Sequence, residues 1–218
     1  MREPTLGGPA HRSGHGVTRG ATGPDPELPG TDRPGAAPSI VVSDTDTANP
    51  DPLSGEALET TTCPGCGAVL AVVPGLGSAH PGASPSCAEL FAVTVRGLRE
   101  EAAQDVQTAS LLQLATDAYD AQHLLDDEPA AAAVRLCLWL ERDVDPLRAG
   151  DLAGRVADAA PRPQIRPGRW TTTVADLAAD LDVVDLPTLI RSWADAVWID
   201  WAPAHPALRA AGASALAR

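Results

Sequence analysis

Thr62-Cys63-Pro64-Gly65-Cys66-Gly67 divides the chain into a tail before it and a run of helices after it. Two thiols separated by two residues, with glycine inside and after the pair, form a knuckle that can offer both sulfurs to one metal ion. Gly65 and Gly67 supply the positive-φ freedom such a turn needs and leave backbone N–H groups to face the thiolates. The fold should therefore consist of a small metal-bound arm and a bundle of helices carrying the remaining ligands.

A zinc site needs four soft or borderline donors, of which Cys63 and Cys66 give two. Cys87 is the third candidate, in the first turn of a helix, where the helix dipole favours a thiolate. His123 is the fourth, because Leu112, Ala115, Tyr119 and His123 recur at three- and four-residue steps on one helical stripe. His80 is the rival, borne on a loop seven residues before Cys87. Cys137 lies in an apolar run, Leu136-Cys137-Leu138-Trp139-Leu140, and reads as core. A thioredoxin-like CxxC follows a strand and opens a helix in a βαβ unit, a context that a Pro-Gly turn behind a tail fits poorly.

Composition narrows the function. The 218 residues include no lysine, 16 arginines and a formal net charge of -13, which works against unassisted binding to nucleic acid or anionic lipid. The arginine, alanine, proline and glycine usage is that of a GC-rich bacterial genome. No run of about 18 apolar residues suggests a membrane span, and Met1-Arg2-Glu3-Pro4 leads into no signal-peptide core. The expected compartment is the cytoplasm, where CxxC is more often metal-binding or redox-active than a disulfide.

Residues 1–60 hold four Arg against nine Asp/Glu, a net of -5, with no aromatic residue and no apolar periodicity. This segment reads as a disordered acidic Pro/Gly-rich tail; Ile40-Val41-Val42 could pair as a strand but stands alone. Translation from a downstream start would shorten it, and the intact mass of the native protein reads that directly. His11 and His15 belong to the tail and carry no weight. Residues 61–218 read as a metal-bound helical domain.

After the knuckle, Ala68 to Val73 suits a brief strand or extended arm. Ser84 caps a helix over about 85–103, with Pro85 at its first position. Helices follow at about 105–124, 129–142 and a weaker one at 146–158; the second is apolar nearly all round and so should be the central, most buried helix. Pro161, Pro163 and Pro167 enforce an extended crossover. A short helix restarts at Thr172 or Thr173, and a long one over about 186–201 aligns Ile190, Trp193, Val197 and Trp201. Trp193, Trp198 and Trp201 should seal the bundle. Pro203 and Pro206 precede an alanine-rich terminal helix, and His205 reads as surface or cap. There is no phosphate-binding glycine loop, GxSxG elbow or HExxH.

Several blocks together carry a resemblance: Cys63-Pro64-Gly65-Cys66-Gly67, Gly82-Ala83-Ser84-Pro85-Ser86-Cys87, and Asp117-Ala118-Tyr119-Asp120-Ala121-Gln122-His123. Leu140-Glu141-Arg142, Thr173-Val174-Ala175-Asp176 and Trp193 to Pro203 continue the series. Over roughly residues 62–210 the chain resembles a bacterial zinc-knuckle family of unknown function. The resemblance implies that the tail lies outside the shared domain and that Cys87 and His123 stand in recurring motifs. The chain departs from the pattern near Leu112 and Ala132, where members often carry histidine. A second polar site built on those histidines would be lost here.

The expectation is an all-α domain of about six helices with an N-terminal knuckle. Zn2+ would be held by Cys63, Cys66, Cys87 and His123 in a structural role, with an interaction or regulatory function toward a protein partner. Two alternatives stand beside it. One is a metal enzyme with an open coordination position and Asp117 or Asp120 as base; the other is a thiol redox switch.

Overall fold

The computed structural model describes residues 58–77, 80–162 and 166–217. The expected tail, apart from residues 58–60, lies outside them, as do Ile40-Val41-Val42, His11 and His15. Among the described residues the chain is helical apart from one small sheet: β1 (Thr60–Thr62) pairs antiparallel with β2 (Val69–Ala71), Thr61 opposite Leu70. The knuckle is the turn between these strands. Cys63 N–H donates to the Ala68 carbonyl at 2.8 Å, and Gly67 N–H closes back on the Cys63 carbonyl at 3.0 Å. Composition hides β1, because three threonines after a polar tail show no apolar pattern.

Helix α1 (Pro85–Thr94) starts as its sequence dictates: Ser84 accepts the Cys87 N–H at 3.3 Å and Pro85 fills the first position. The helix expected to run to about 103 bends at Val95 (φ -97°, ψ 11°) into α2 (Arg96–Glu101). Val95 is fully buried, so the bend keeps a β-branched, weakly helix-favouring side chain in the core. Helix α3 (Val106–Gln122) is capped by Asp105, which accepts the Thr108 N–H at 2.6 Å. Helix α4 (Ala131–Arg142) ends where Asp143 turns left-handed at φ 50°.

The helix expected over 146–158 is also two pieces, α5 (Pro146–Asp151) and α6 (Ala153–Ala159), joined at Leu152. Gly150 and Gly154 flank that joint and weaken helical continuity across it. After the crossover, Thr173 and Asp176 form a capping box on α7 (Val174–Asp180). Helix α8 (Leu186–Asp200) leads through a 3-10 turn (Ala202–Ala204) into α9 (His205–Ala217), so His205 opens a helix.

Helix α3 packs on α8, α4, α2 and α5, while α4 also meets α5, α6, α8 and α9. Trp193, Trp198 and Trp201 are buried, as are Leu136, Cys137 and Leu138 on α4. Helix α9 approaches α4 closely at Gly212, where a Cβ would sit 3.2 Å from Leu138 Cδ2. The approach is secured by polar contacts: Arg209 grips Glu141 at 2.7 and 2.6 Å, and Trp198 Nε1–H donates to the same carboxylate at 3.2 Å. His205 stacks on Trp198 at 3.8 Å. No helix among the described residues is long and apolar enough to cross a membrane.

Candidate metal centre

The structure brings Cys63, Cys66, Cys87 and His123 into one cluster whose donor atoms all lie within 4.8 Å of one another. Each residue arrives on a different device. Cys63 follows β1, Cys66 lies in the knuckle turn, Cys87 sits in the first turn of α1, and His123 caps the C-terminus of α3. The cluster is enclosed, with exposures of 1%, 4%, 0% and 0% in that order. Cys66 Sγ lies 3.7 Å from Cys87 Sγ, and Cys87 Sγ lies 3.4 Å from His123 Nε2. A tetrahedral zinc with Zn–S about 2.3 Å and Zn–N about 2.0 Å has edges of about 3.8 Å (S···S) and about 3.5 Å (S···N). These two of the six donor separations match those edges, and all six fall within 4.8 Å.

The shell around the donors orients them. His123 Nδ1 lies 2.7 Å from the Tyr119 carbonyl, which fixes Nδ1–H as donor and turns Nε2 toward the sulfurs. Ser84 N–H donates to Cys63 Sγ at 3.4 Å, and the Tyr119 hydroxyl points at Cys87 Sγ from 3.9 Å. Phe91 stacks on Tyr119 at 4.1 Å, and the Tyr119 ring meets His123 at 4.0 Å with a 32° tilt, packing aromatic rings against the donors.

Two glycines make this closure sterically feasible, for a reason other than φ. A Cβ on Gly65 would lie 2.5 Å from His123 Cδ2 and 2.7 Å from the Gly82 carbonyl oxygen. One on Gly82 would lie 1.8 Å from the His123 carbonyl oxygen. Within the knuckle it is Gly67, at φ 77°, that needs the left-handed region, so the expectation of positive φ at both glycines is corrected at Gly65. Gly65 serves close approach instead.

Crowding sets the acidity of the donors. Hydrogen bonds from Cys66 and Cys87 hold the Cys63 thiol far below its ordinary range, while proximity to Cys63 and Cys66 drives the Cys87 thiol up. Burial opposes a charged His123, but hydrogen bonds to Cys63 and Cys66 and to the Tyr119 carbonyl outweigh it and push the imidazole up to about 9. The directions favour negative charge on Cys63 and positive charge on His123 within one enclosed cluster. A divalent cation bound here would displace protons from such a thiolate–imidazole cluster.

The rival and the remaining candidates stand outside the cluster. His80 Nδ1 accepts from Gly82 N–H at 3.2 Å, and its Nε2 faces Asp120 at 3.5 Å. It packs edge-on against His123 at 5.6 Å, in the layer behind the donors. Asp117 is buried and committed to Arg135 at 2.6 Å and Gln113 at 3.0 Å. Burial pushes its carboxyl up to about 6 despite the pull of that guanidinium. Cys137 is a core thiol, pushed up to about 11 chiefly by burial.

Sequence reasoning missed the strap that covers the knuckle. Trp170 Nε1–H donates to the Gly65 carbonyl at 2.9 Å across 105 residues. Gln122 ties the same strap to the bundle, donating to the Thr172 carbonyl at 2.7 Å and accepting from Trp193 Nε1–H at 3.3 Å. The available signal was a lone tryptophan beside a capping box, in an otherwise proline-rich crossover.

No curated protein and no solved structure matches the chain. A family model does match, over residues 61–202, a span that runs from the knuckle through α8 to the 3-10 turn. On that match the chain belongs to the family of unknown function DUF5946.

Proposed function

We propose that this is a zinc-binding helical protein whose metal is structural, held by Cys63, Cys66, Cys87 and His123. The observation that carries the reading is the agreement of the 3.7 and 3.4 Å donor separations with the edges of a zinc tetrahedron. Three thiolates and one imidazole favour zinc over harder divalent ions. Four protein donors leave no position for substrate, and Asp117, engaged by Arg135, is not free to act as a base. The metal pins the β1–β2 arm to the start of α1 and the end of α3. Its binding free energy thus enters the folding free energy, about 10 kcal/mol in the smallest zinc domains.

With the metal structural, the role is interaction or regulation toward a protein partner. The net charge of -13 disfavours nucleic acid and anionic membranes. A cysteine cluster that binds metal through thiolates, rather than pairing as disulfides, suits the cytoplasm. The test is elemental mass spectrometry on the full chain beside Cys87→Ser, His123→Ala and His80→Ala. About one zinc per chain is expected in the wild type and in His80→Ala, with none retained in the other two. Zinc retained by His123→Ala would refute the four-donor set.

A further inference from the structure

A cleft of about 660 Å3 opens beside the metal centre, between the knuckle and the strap. Gly65, Cys66 and Gly67 form one wall, and Pro167, Trp170 and Asp176 face them. Of the four donors, Cys66 alone lines this cleft, and it is also the least buried of the four. Its sulfur is 3.7 Å from that of Cys87, while Cys63 Sγ is engaged by Ser84 N–H at 3.4 Å. Burial protects structural cysteines from oxidants, and a zinc-bound thiolate keeps its nucleophilic electron pair. Cys66 is thus the donor that a small molecule in the cleft meets first, with the Cys87 sulfur 3.7 Å from its own.

We propose that Cys66 is a redox modification site that takes hydroperoxides from the cleft, and that Cys87 resolves it, releasing the metal. The inference rests on the zinc reading above. Cys66 Sγ attacks one oxygen of hydrogen peroxide; the S–O bond forms, the O–O bond breaks, and the departing hydroxide takes a proton to become water. The sulfur is oxidised by two electrons to a sulfenic acid and the peroxide is reduced. Cys87 Sγ then attacks the Cys66 sulfur; an S–S bond forms, the S–O bond breaks, and the departing hydroxide takes a proton from solvent to become a second water. A disulfide length of about 2.05 Å asks the two sulfurs to close by roughly 1.7 Å.

Two of the four donors are thereby lost, and Cys63 with His123 cannot hold zinc alone. The new bond joins the knuckle to α1, so the arm stays attached while empty. A dithiol such as dithiothreitol, itself ending as a cyclic disulfide, returns both thiols and lets zinc rebind.

The test exposes the zinc-loaded full chain to hydrogen peroxide, follows released zinc with a chromophoric chelator, and maps disulfides by peptide mass spectrometry. The expected result is loss of about one zinc per chain with a Cys66–Cys87 link, both reversed by dithiothreitol and added zinc. Cys66→His, if it loads zinc, should keep it under the same peroxide. Zinc retained by the wild type, or released with a different linked pair, overturns the inference and leaves the zinc reading standing. A wild-type chain that binds no zinc even after loading overturns both.

Discussion

Gly82→Ala is a one-methyl test of how the centre is assembled. The added carbon would stand 1.8 Å from the His123 carbonyl oxygen, and contacts under 3.0 Å do not persist, so the two backbones must part by about 1.2 Å. The obstacle is backbone, which cannot rotate away as a side-chain tip would. The tolerance of a zinc–ligand distance is about 0.2 Å, several times smaller than the required shift. Helix α3 is anchored against four other helices, so the displacement falls on the loop that leads into Cys87. Competitive titration against a chromophoric chelator should then show zinc affinity falling at least about 10- to 100-fold, as for lost outer-shell support. Gly97→Ala is the control. Its Cβ would meet nothing within 4 Å, so the same change in α2 should raise stability by about 0.4–1 kcal/mol and leave zinc affinity alone. Wild-type zinc affinity in Gly82→Ala would refute the close-packing argument.

Further substitutions probe the surroundings. Trp170→Phe keeps an aromatic ring but leaves the Gly65 carbonyl without its donor, which should cost about 1 kcal/mol in urea denaturation of the zinc-loaded chain. Arg135→Ala strands the buried Asp117 carboxylate and should destabilise the fold by about 3–5 kcal/mol, read as a lower urea midpoint. The Asp117 carboxyl, raised from 3.8 to about 6 by burial against the pull of Arg135, binds its proton more tightly folded than unfolded. Its contribution is therefore fully present below 3.8 and is lost as pH rises through about 6. The stability difference between wild type and Asp117→Asn, measured at each pH, should shift across that window; a flat difference would contradict it. Chelation of the wild type should lower its thermal midpoint, and an unchanged midpoint would argue against a structural metal.

Much of the helical frame was legible because its signals are local. Ser84-Pro85 and Thr173 read as caps and each caps its helix; Asp105 and Asp185, which cap α3 and α8, went unread although their signal is as local. The stripe that carried Tyr119 and His123 inward is equally local, a matter of 3.6-residue spacing. The breaks at Val95 and Leu152 were not legible. Val95 continues the helical pattern and is bent to stay in the core, while at Leu152 the pattern also continues but Gly150 and Gly154 on either side weaken it. Strand β1 was invisible for a related reason: Thr60–Thr62 is defined by its pairing with Val69–Ala71 and by no pattern of its own.

By itself the sequence determined that a Cys-x-x-Cys knuckle precedes a helical domain, and which residues could serve as its donors. Tertiary structure decided between His80 and His123 as the histidine that joins the cysteine cluster. His80 is turned away because its Nδ1 accepts from Gly82 N–H, while the Tyr119 carbonyl aims His123 Nε2 at the sulfurs. It also decided the role of Gly65, whose missing Cβ matters because His123 arrives from 58 residues downstream to occupy that space. Spacing along a chain reports what one segment can do; which groups meet is fixed by the packing of segments distant in sequence, here α3 and the Trp170 strap against the knuckle.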